Sequence, residues 1–318
     1  MAGANIGTMF GAGGAATFLR LPSADLGAID ADAVIVGAPC ATPYPSVGPY
    51  CAGAAAAIRR EINTDTPDRD HMDFDLGGKV LVDGYRAVDA GDLAWNAEDA
   101  SGNRDRIRAA VGAILDAGAI PVTLGGDDSI PIPVFQAFEG RGNYTILQID
   151  AHIDWRDEVN GERWGLSSTM RRASEMEHIE RIVQAGQRAI GSARPGDHAD
   201  AVAWGASFVS ARDIHSGGIG RVLDAIPAGG DVIVSLDVDA LDPAIMPAVI
   251  GPAPGGLTYW QVVELITGVA AKARIAGFNL VELMPDRDIQ GMSALTAGRI
   301  VCVVLGLLAR ARSDGSHD

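Results

Sequence analysis

The chain alternates between short apolar runs rich in β-branched residues and longer segments with helical periodicity, and this alternation limits the folds open to it. Each strand-like run ends in glycine or polar residues, and the runs read DAVIVGAP (32–39), KVLVDG (79–84), IPVTLGGDDS (120–129), TILQIDAHID (145–154), RIVQAGQRAIGS (181–192), DVIVSLDVDALDP (231–243) and IAGFNLVELMP (275–285). Helices are predicted over 52–62, 104–119, 257–273 and 293–311. Strands that are apolar on both faces and separated by helices indicate an α/β fold, with a mostly parallel sheet covered on both sides.

Length and composition favour one domain. The chain has 318 residues, 47% of them hydrophobic, which is enough for the core of one large α/β domain. We find no internal repeat and no low-complexity linker. We therefore predict a single domain over 1–318, with a loose, glycine-rich N-terminal arm over 1–16 and a polar tail over 312–318.

The net charge of −16 argues against two classes of partner. Nucleic acids and anionic membranes would both require a basic surface. The apolar run 300–309 is too short to cross a bilayer, so a buried terminal helix is expected there. The three cysteines, Cys40, Cys51 and Cys302, lack metal-site spacing, and we expect reduced thiols in a cytoplasmic protein.

Acidic residues follow three of the predicted strands. They are Asp127 and Asp128, then Asp150, His152 and Asp154, then Asp237, Asp239 and Asp242. Residues at i and i+2 of a strand share a face, and parallel sheets bind ligands at the carboxyl ends of their strands. A single aspartate there most often caps a turn, and a lone histidine is more often structural than a ligand. Three clusters together need counter-charge, and carboxylates with one imidazole suit divalent cations such as Mn²⁺.

These segments resemble the ureohydrolase family of arginases, agmatinases and guanidino-acid hydrolases, and most closely its agmatinase-like branch. GGDDS, DAHID and SLDVDALDP are similar to its three signature segments, and the family's order is kept by TFLRLP (17–22), VIVGAP (34–39), VDAGDL (88–93) and GFNLVELMP (277–285). The resemblance implies a three-layer α/β/α fold and a homo-oligomer, a trimer or hexamer. It also implies two divalent metal ions, usually Mn²⁺ and sometimes Ni²⁺, and hydrolysis of a guanidino compound to urea and an amine by a metal-bridging hydroxide.

The resemblance further implies roles for individual residues. It implies that Asp150 and Asp237 bridge the two metal ions. Asp154 and Asp128 would complete the shell of one metal, and His152 and Asp239 that of the other. Glu282 is similar to the acid that holds the substrate guanidinium. Asp154 resembles the residue that passes a proton to the leaving amine.

The sequence departs from the family pattern in two places. GGDDS has Asp128 where the family usually has a histidine ligand, which adds one negative charge to the site. The family's SHGT segment, whose histidine lies beside the site, is replaced by WGLSSTMRRA (164–173), with Leu166 or Ser167 at the place of that histidine.

Four residues near these motifs are candidates for contact with substrate: Trp155, Arg156, Ser167 and Tyr44. Ordinary packing or a surface position is the alternative reading for each. The proline-rich loop over 39–53 carries both Tyr44 and Tyr50. A stiff loop at the end of a strand is a suitable pocket wall, and either ring could stack on a guanidinium.

Two classes of function follow from these residues. The first is a metal-dependent hydrolase of a small cationic guanidino substrate, either agmatine-like or a guanidino acid, with another amidine as a variant. The second is a catalytically weak or inactive paralogue that serves as a structural or regulatory subunit. Asp128 at the usual histidine position and the missing downstream histidine motivate the second class.

Overall fold

The computed structural model describes residues 16–66, 68–191 and 193–315. The expected N-terminal arm, apart from Ala16, lies outside the described residues, as do the last three residues of the expected tail.

A parallel eight-stranded sheet forms the centre of the molecule. Its strands are β1 (Ala33–Ala38), β2 (Ala87–Asp92), β3 (Ile120–Gly125), β4 (Tyr144–Ile149), β5 (Ile179–Ala185), β6 (Ser207–Val209), β7 (Asp231–Asp237) and β8 (Arg274–Val281). Their order across the sheet is β2-β1-β3-β8-β7-β4-β5-β6, and every neighbouring pair is parallel. The last strand along the chain therefore lies in the middle of the sheet.

Helices cover both faces of this sheet. They are α1 (Ala54–Asp65), α2 (Ala100–Asp116), α3 (Pro131–Gln136), α4 (Thr169–Ala173), α5 (Pro195–Trp204), α6 (Ala211–Gly217), α7 (Gly220–Asp224), α8 (Tyr259–Lys272) and α9 (Met292–Gly315). α1 and α6 to α9 share a core with Leu147 and Ile149 of β4, whereas α2 to α5 share a second core with Tyr144 and Ile146. Alternate residues of one strand thus enter opposite cores, and the predicted three-layer α/β/α fold is confirmed.

One predicted strand is wrong. KVLVDG (79–84) forms turns rather than a strand, and the edge of the sheet is taken by β2 instead. Val80 is buried in the core that includes α9, and Arg310 of α9 donates a hydrogen bond to the carbonyl oxygen of Lys79 at 2.9 Å. The run is apolar because it packs beneath a helix.

The apolar C-terminal segment forms the long helix α9, as expected from 293–311. Within the described residues, its span Met292–Arg312 is long and apolar enough to cross a membrane, with a mean hydropathy of 2.0. However, 72% of its most apolar window is buried inside the structure, where α9 packs against α1 and α8. α9 is therefore a core helix.

A buried ion pair fastens β2 to the rest of the molecule. Nε and Nη2 of Arg59, in α1, each donate to an oxygen of Asp89 at 2.8 Å, and both side chains are almost fully buried. Asp89 also accepts from the backbone N–H of Phe18 at 2.7 Å, and Arg59 pairs with Asp92 as well. One guanidinium therefore links the edge strand with the first helix.

Candidate active site and metal centre

Four adjacent strands deliver the acidic motifs to one place. β3, β8, β7 and β4 are consecutive in the sheet, and their carboxyl ends lead into GGDDS, Glu282, DVDALD and DAHID. Because all four strands are parallel, these segments meet along one edge of the sheet. The topology thus brings together residues that lie far apart in sequence.

The acidic side chains form two groups that share one aspartate. Asp150, His152 and Asp239 have potential ligand atoms within 4.8 Å of one another, and so do Asp128, Asp150 and Asp154. In the first group, Nδ1 of His152 lies 3.0 Å from Oδ2 of Asp239. The shared Asp150 stands where one ligand could serve two cations.

Asp237 belongs to neither group, but it lies beside both. Burial raises the pKa of its carboxyl well above the usual range, and the charges of Asp239, Asp150, Glu282 and Asp128 raise it further. Its carboxylate oxygen Oδ1 accepts the backbone N–H of Asp239 at 2.7 Å. The structure therefore brings all six predicted ligands to the same site.

The electrostatics are those of crowded, buried negative charge. Burial, followed by the charge of Asp150, raises the pKa of Asp154 well above its usual range. Burial, followed by the charge of Asp154, does the same for the pKa of Asp128. Burial opposes protonation of His152, but Asp150 and Asp239 outweigh it and raise the pKa of this histidine to about 12. Positive charge at the centre would relieve this repulsion.

The donor set fits divalent metal ions. Both carboxylate oxygens of Asp128 are buried, and neither has a hydrogen-bond donor among the described residues. An unpartnered buried carboxylate is costly unless a cation neutralises it. Five carboxylates and one imidazole form a hard, oxygen-rich set, of the type that suits Mn²⁺ and similar ions.

Two of the predicted functional residues have unusual backbone conformations. Asp154 has φ of 45° and Glu282 has φ of 71°, a region in which non-glycine residues are uncommon. The carbonyl oxygen of Asp154 accepts the backbone N–H groups of Met170 and Arg171, each at 3.1 Å, at the start of α4. Strained residues that the surrounding structure holds in place are typical of functional sites.

A buried glutamine behind the site was missed by the sequence reasoning. Nε2 of Gln148, in β4, donates to Oδ2 of Asp150 at 2.6 Å and to Oδ2 of Asp154 at 2.7 Å. Gln184 of β5 donates in turn to the amide oxygen of Gln148 and to the carbonyl of Ile153. A polar residue inside the apolar run TILQI is the sequence signal that could have identified it.

Arg188 was also missed. Its guanidinium donates to the backbone carbonyl oxygens of Asp239, Ala240 and Leu241, and to that of Ala253, at distances from 2.6 to 3.2 Å. These bonds hold the segment that follows β7 and carries Asp239. No sequence signal identifies Arg188, because every residue has a backbone carbonyl and its acceptors therefore leave no pattern in the sequence.

Glu282 lies at the centre of its own small network. Its side chain is 3% exposed, and Oε1 accepts the backbone N–H of Asp128 at 2.8 Å. The hydroxyl of Tyr50 donates to both carboxylate oxygens, at 2.7 and 2.8 Å. Burial, followed by the charge of Asp127, raises the pKa of Glu282 to about 8.

Tyr44 lies between the acidic centre and an open cavity. Burial raises its pKa, contact with Ser167 opposes this, and the charges of both Asp154 and Glu162 act on it. Its ring packs on Gly165, where an added Cβ would lie 2.2 Å from a ring carbon, so only glycine fits there. The cavity of about 610 Å³ beyond it is lined by Tyr44, Thr42, Glu98, Asn160 and Glu162 among others.

The other two candidates for substrate contact lie elsewhere. Trp155 is 2% exposed and packs against Trp204, with ring centroids 5.9 Å apart, inside the core shared by α2 to α5. Arg156 is half-buried, and its charge is a lesser cause, after the hydrogen bonds and charge of Arg194, of the lowered pKa of Asp197. These positions favour packing for Trp155 and a position near the surface for Arg156.

Two acids in the motifs are structural caps. Oδ1 of Asp127 accepts the backbone N–H of Ser129 at 3.0 Å. Asp242 accepts three backbone N–H groups, from Ala244, Gly255 and Gly256, which lower its pKa. The turn-capping alternative is confirmed for this pair.

Known proteins resemble this chain along nearly its whole length. Residues 31–306 match the sequence profile of the Arginase family. A guanidinobutyrase of Pseudomonas aeruginosa is 31% identical, covering 94% of this chain and 95% of its own, and an agmatinase of Pyrococcus horikoshii is 29% identical, covering 92% and 96%. The structure of a proclavaminate amidino hydrolase from Streptomyces clavuligerus superposes with a TM-score of 0.82 at 27% identity, covering 94% of this chain and 99% of its own.

Proposed function

This chain belongs to the arginase family as an agmatinase-like ureohydrolase, a hydrolase of C–N bonds in linear amidines, and from that premise we propose that it releases urea from a small cationic guanidino compound. The proposed centre holds two divalent metal ions through six residues: Asp128, Asp150, His152, Asp154, Asp237 and Asp239. The observation that carries the proposal is the pair of ligand groups that share Asp150. The unpartnered oxygens of Asp128 support it further.

Glu282 and Asp154 have proposed tasks in the reaction itself. Bound divalent ions would supply a nucleophile from water at neutral pH. Glu282 receives the planar guanidinium through two parallel charge-assisted hydrogen bonds and so presents its carbon to the centre. An amine leaves poorly as an anion, so Asp154 would accept the proton of the attacking hydroxide and pass it to the departing nitrogen.

The decisive experiment counts metal and urea on one preparation. The protein is reconstituted with Mn²⁺ or with Ni²⁺, bound metal is measured by elemental analysis, and urea release is screened with agmatine, arginine, 3-guanidinopropionate, 4-guanidinobutyrate and guanidine. We expect close to two ions per chain and urea from at least one substrate. Asp150→Asn should lose both, whereas Asp105→Asn, which changes an exposed aspartate of α2, should lose neither.

Other outcomes separate the alternatives. Two metals per chain without urea would point to another amidine as the substrate. One metal ion per chain or none, without urea release, would support the catalytically inactive structural or regulatory subunit. The structure offers one argument against that second reading, since Asp128 lies in a ligand group despite replacing the usual histidine.

For the metal we propose Mn²⁺, with Ni²⁺ as the second choice. A carboxylate at position 128 instead of an imidazole makes the ligand set harder and more negative, which favours the ion that prefers oxygen. Equilibration with equal concentrations of both ions, followed by elemental analysis, tests this. Excess Ni²⁺ in the recovered protein would overturn it.

For the substrate tail we propose a positive charge, as in agmatine. The cavity next to Tyr44 is lined by Glu98 and Glu162, and its described lining includes no lysine or arginine. Agmatine and 4-guanidinobutyrate have similar lengths and differ in the charge of the end group, so they form a matched pair. A kcat/KM higher for agmatine supports the proposal, and a higher value for 4-guanidinobutyrate supports the guanidino acid.

A matched pair of variants then locates the tail. Glu162→Gln should raise the KM for agmatine about two- to fivefold, since exposed charge pairs contribute little. Glu158→Gln, which changes a nearby exposed acid outside the cavity lining, should leave it unchanged. Equal effects would place the tail elsewhere.

We also propose a cytoplasmic homo-oligomer, a trimer or hexamer. Two exposed aromatic side chains support this: Phe74 is 88% exposed and Trp260 is 54% exposed. Their chain neighbours are in contact, because the hydroxyl of Tyr259 donates to Asp75 at 2.6 Å. The three free, buried cysteines suit a reducing compartment. Sedimentation of wild type and Phe74→Ser measures the assembly, and a monomeric wild type would contradict it.

A further inference from the structure

The hydroxyl of Tyr50 lies on the axis of the Glu282 carboxyl group. Its distances to Oε1 and Oε2 are 2.7 and 2.8 Å, and this near-equality puts it midway between the two oxygens, in front of the carboxylate. Burial, with the charge of Glu282 as the next cause, raises the pKa of Tyr50, so the phenol stays protonated and is the donor. One proton is thus shared between the two acceptors.

A bidentate guanidinium would need this same place. Such a cation approaches a carboxylate along its axis and donates one N–H to each oxygen. The backbone N–H of Asp128 already uses another acceptor position on Oε1. Because Glu282 is 3% exposed, little of its surface is open to a ligand. The phenol and a guanidinium therefore exclude each other at Glu282.

The backbone around Tyr50 is fixed, so its ring is the part that can move. The N–H of Ala52 bonds the carbonyl of Pro49 at 3.0 Å, and the N–H of Ala54, the first residue of α1, bonds the carbonyl of Cys51 at 2.9 Å. Cys51 is 1% exposed, whereas Tyr50 itself is half-buried. Rotation about the side-chain bonds would remove the hydroxyl without moving the loop.

We propose that Tyr50 is a specificity-determining residue, which occupies the guanidinium position of Glu282 in the free enzyme and is displaced by the substrate. This rests on the proposed function, in which Glu282 receives the guanidinium. A ligand with two parallel N–H donors replaces the shared bond with two and can displace the phenol. A simple ammonium ion offers no such pair, so the displacement step selects planar amidine cations.

The test measures binding rather than turnover. Metal-reconstituted wild type, Tyr50→Phe and Tyr85→Phe are titrated calorimetrically with guanidinium chloride. Tyr50→Phe should bind on the order of tenfold tighter, because the competing hydrogen bond to a charged group is gone. Tyr85→Phe removes another mostly buried hydroxyl, away from Glu282, and should match wild type. Methylammonium chloride should show no measurable binding at Glu282 in any of the three proteins.

A spectroscopic measurement checks displacement directly. A phenol that stops donating to a carboxylate changes its ultraviolet absorption. Wild type should show a tyrosine difference spectrum when guanidinium is added, and Tyr50→Phe should lack it. Thermal unfolding of each variant confirms that the fold is retained.

The outcomes are distinguishable. If Tyr50→Phe binds guanidinium equally or more weakly, while Glu282→Gln abolishes binding, Tyr50 merely positions Glu282 and this inference alone is overturned. If Glu282→Gln binds as well as wild type, or if wild type binds no guanidinium, the assignment of Glu282 fails and the inference fails with it.

Discussion

At the scale of the residue, the centre depends on groups that lie behind the proposed ligands. The Gln148 amide donates to two carboxylates at once, and Gln184 fixes its orientation. Such outer partners orient metal ligands and stabilise their charged form. They determine whether crowded carboxylates are ready to receive a cation.

Replacing Gln148 by leucine should weaken metal binding about 10- to 100-fold, the usual cost of losing such a partner. Isothermal titration with Mn²⁺ measures the change. Thr145→Val is the control, because Thr145 is a buried polar residue of the same strand that lies outside the site. Unchanged Mn²⁺ affinity in Gln148→Leu would show that Asp150 and Asp154 need no such support.

Asp128 gives a second prediction. Asp128→His removes one negative charge from the ligand set, which should lower the pKa of metal-activated water. The pH of half-maximal urea release should therefore fall, by about one unit at most. A pH–rate profile of both proteins measures it, and an upward shift would contradict the assignment of Asp128 as a ligand.

Residues with chemical signatures could be predicted from the sequence, whereas the partners that hold them in place, such as Gln148 and Arg188, were missed. Alternating acids at strand ends pointed to Asp150 and Asp239, but the expected shared strand face is wrong, because Asp150 follows the end of β4 and Asp239 lies in a short 3-10 helix after β7. Arg188 and the hydrogen bond of Tyr50 to Glu282 depend on contacts between distant segments, which spacing along the chain does not encode, although Tyr50 itself was expected in the pocket wall.

At the scale of the element, β2 is the strand that depends most on side-chain contacts to hold it in the sheet. It is an edge strand that carries Asp89 and Asp92, and β1 is the one described strand that pairs with it, although an isolated bridge also joins Asp89 to Ser23. The pairing is irregular near Gly37, where an added Cβ would lie 1.9 Å from an oxygen of Asp92. The polar residues of β2 made this strand hard to predict, whereas the apolar run 79–84 has the composition of a strand without forming one.

Arg59→Met should destabilise the fold by about 3–5 kcal/mol, because it leaves the buried charge of Asp89 without its partner. Arg60→Met changes the next residue of α1, whose side chain is 62% exposed, and should cost about 0.5 kcal/mol or less. Urea unfolding gives both free energies. Similar values for the two variants would mean that Asp89 finds another partner.

At the scale of the whole molecule, the acidic centre sets how stability depends on pH when metal is removed. The carboxyl pKa of Glu282 is raised from 4.5 to about 8 in the folded chain, mainly by burial, and those of Asp128 and Asp237 are raised too. A raised folded pKa contributes stability below the unfolded pKa, and that contribution is lost as pH rises through the folded pKa.

The metal-free protein should therefore lose stability between about pH 4.5 and pH 8, the window given by Glu282. Melting temperatures measured in the presence of a chelator test this. Glu282→Gln lacks one of the titrating groups and should show a shallower decline. Saturating Mn²⁺ should flatten the curve and add about 2.7 kcal/mol per site at a hundredfold excess over Kd. A wild-type curve that rises over this window would refute the assignment.

The place of β8 has a consequence for how the chain is made. β8 is the last strand to be synthesised, yet it sits between β3 and β7. Before residue 274 leaves the ribosome, the earlier strands can form only two half-sheets, β2-β1-β3 and β7-β4-β5-β6, each with an open edge where β8 belongs. Open edges invite pairing with other chains, and pairings between distant segments form slowly. The nascent protein is thus exposed to aggregation until its final strand closes the sheet. Glu282, which directly follows β8, is placed in the site by that same step.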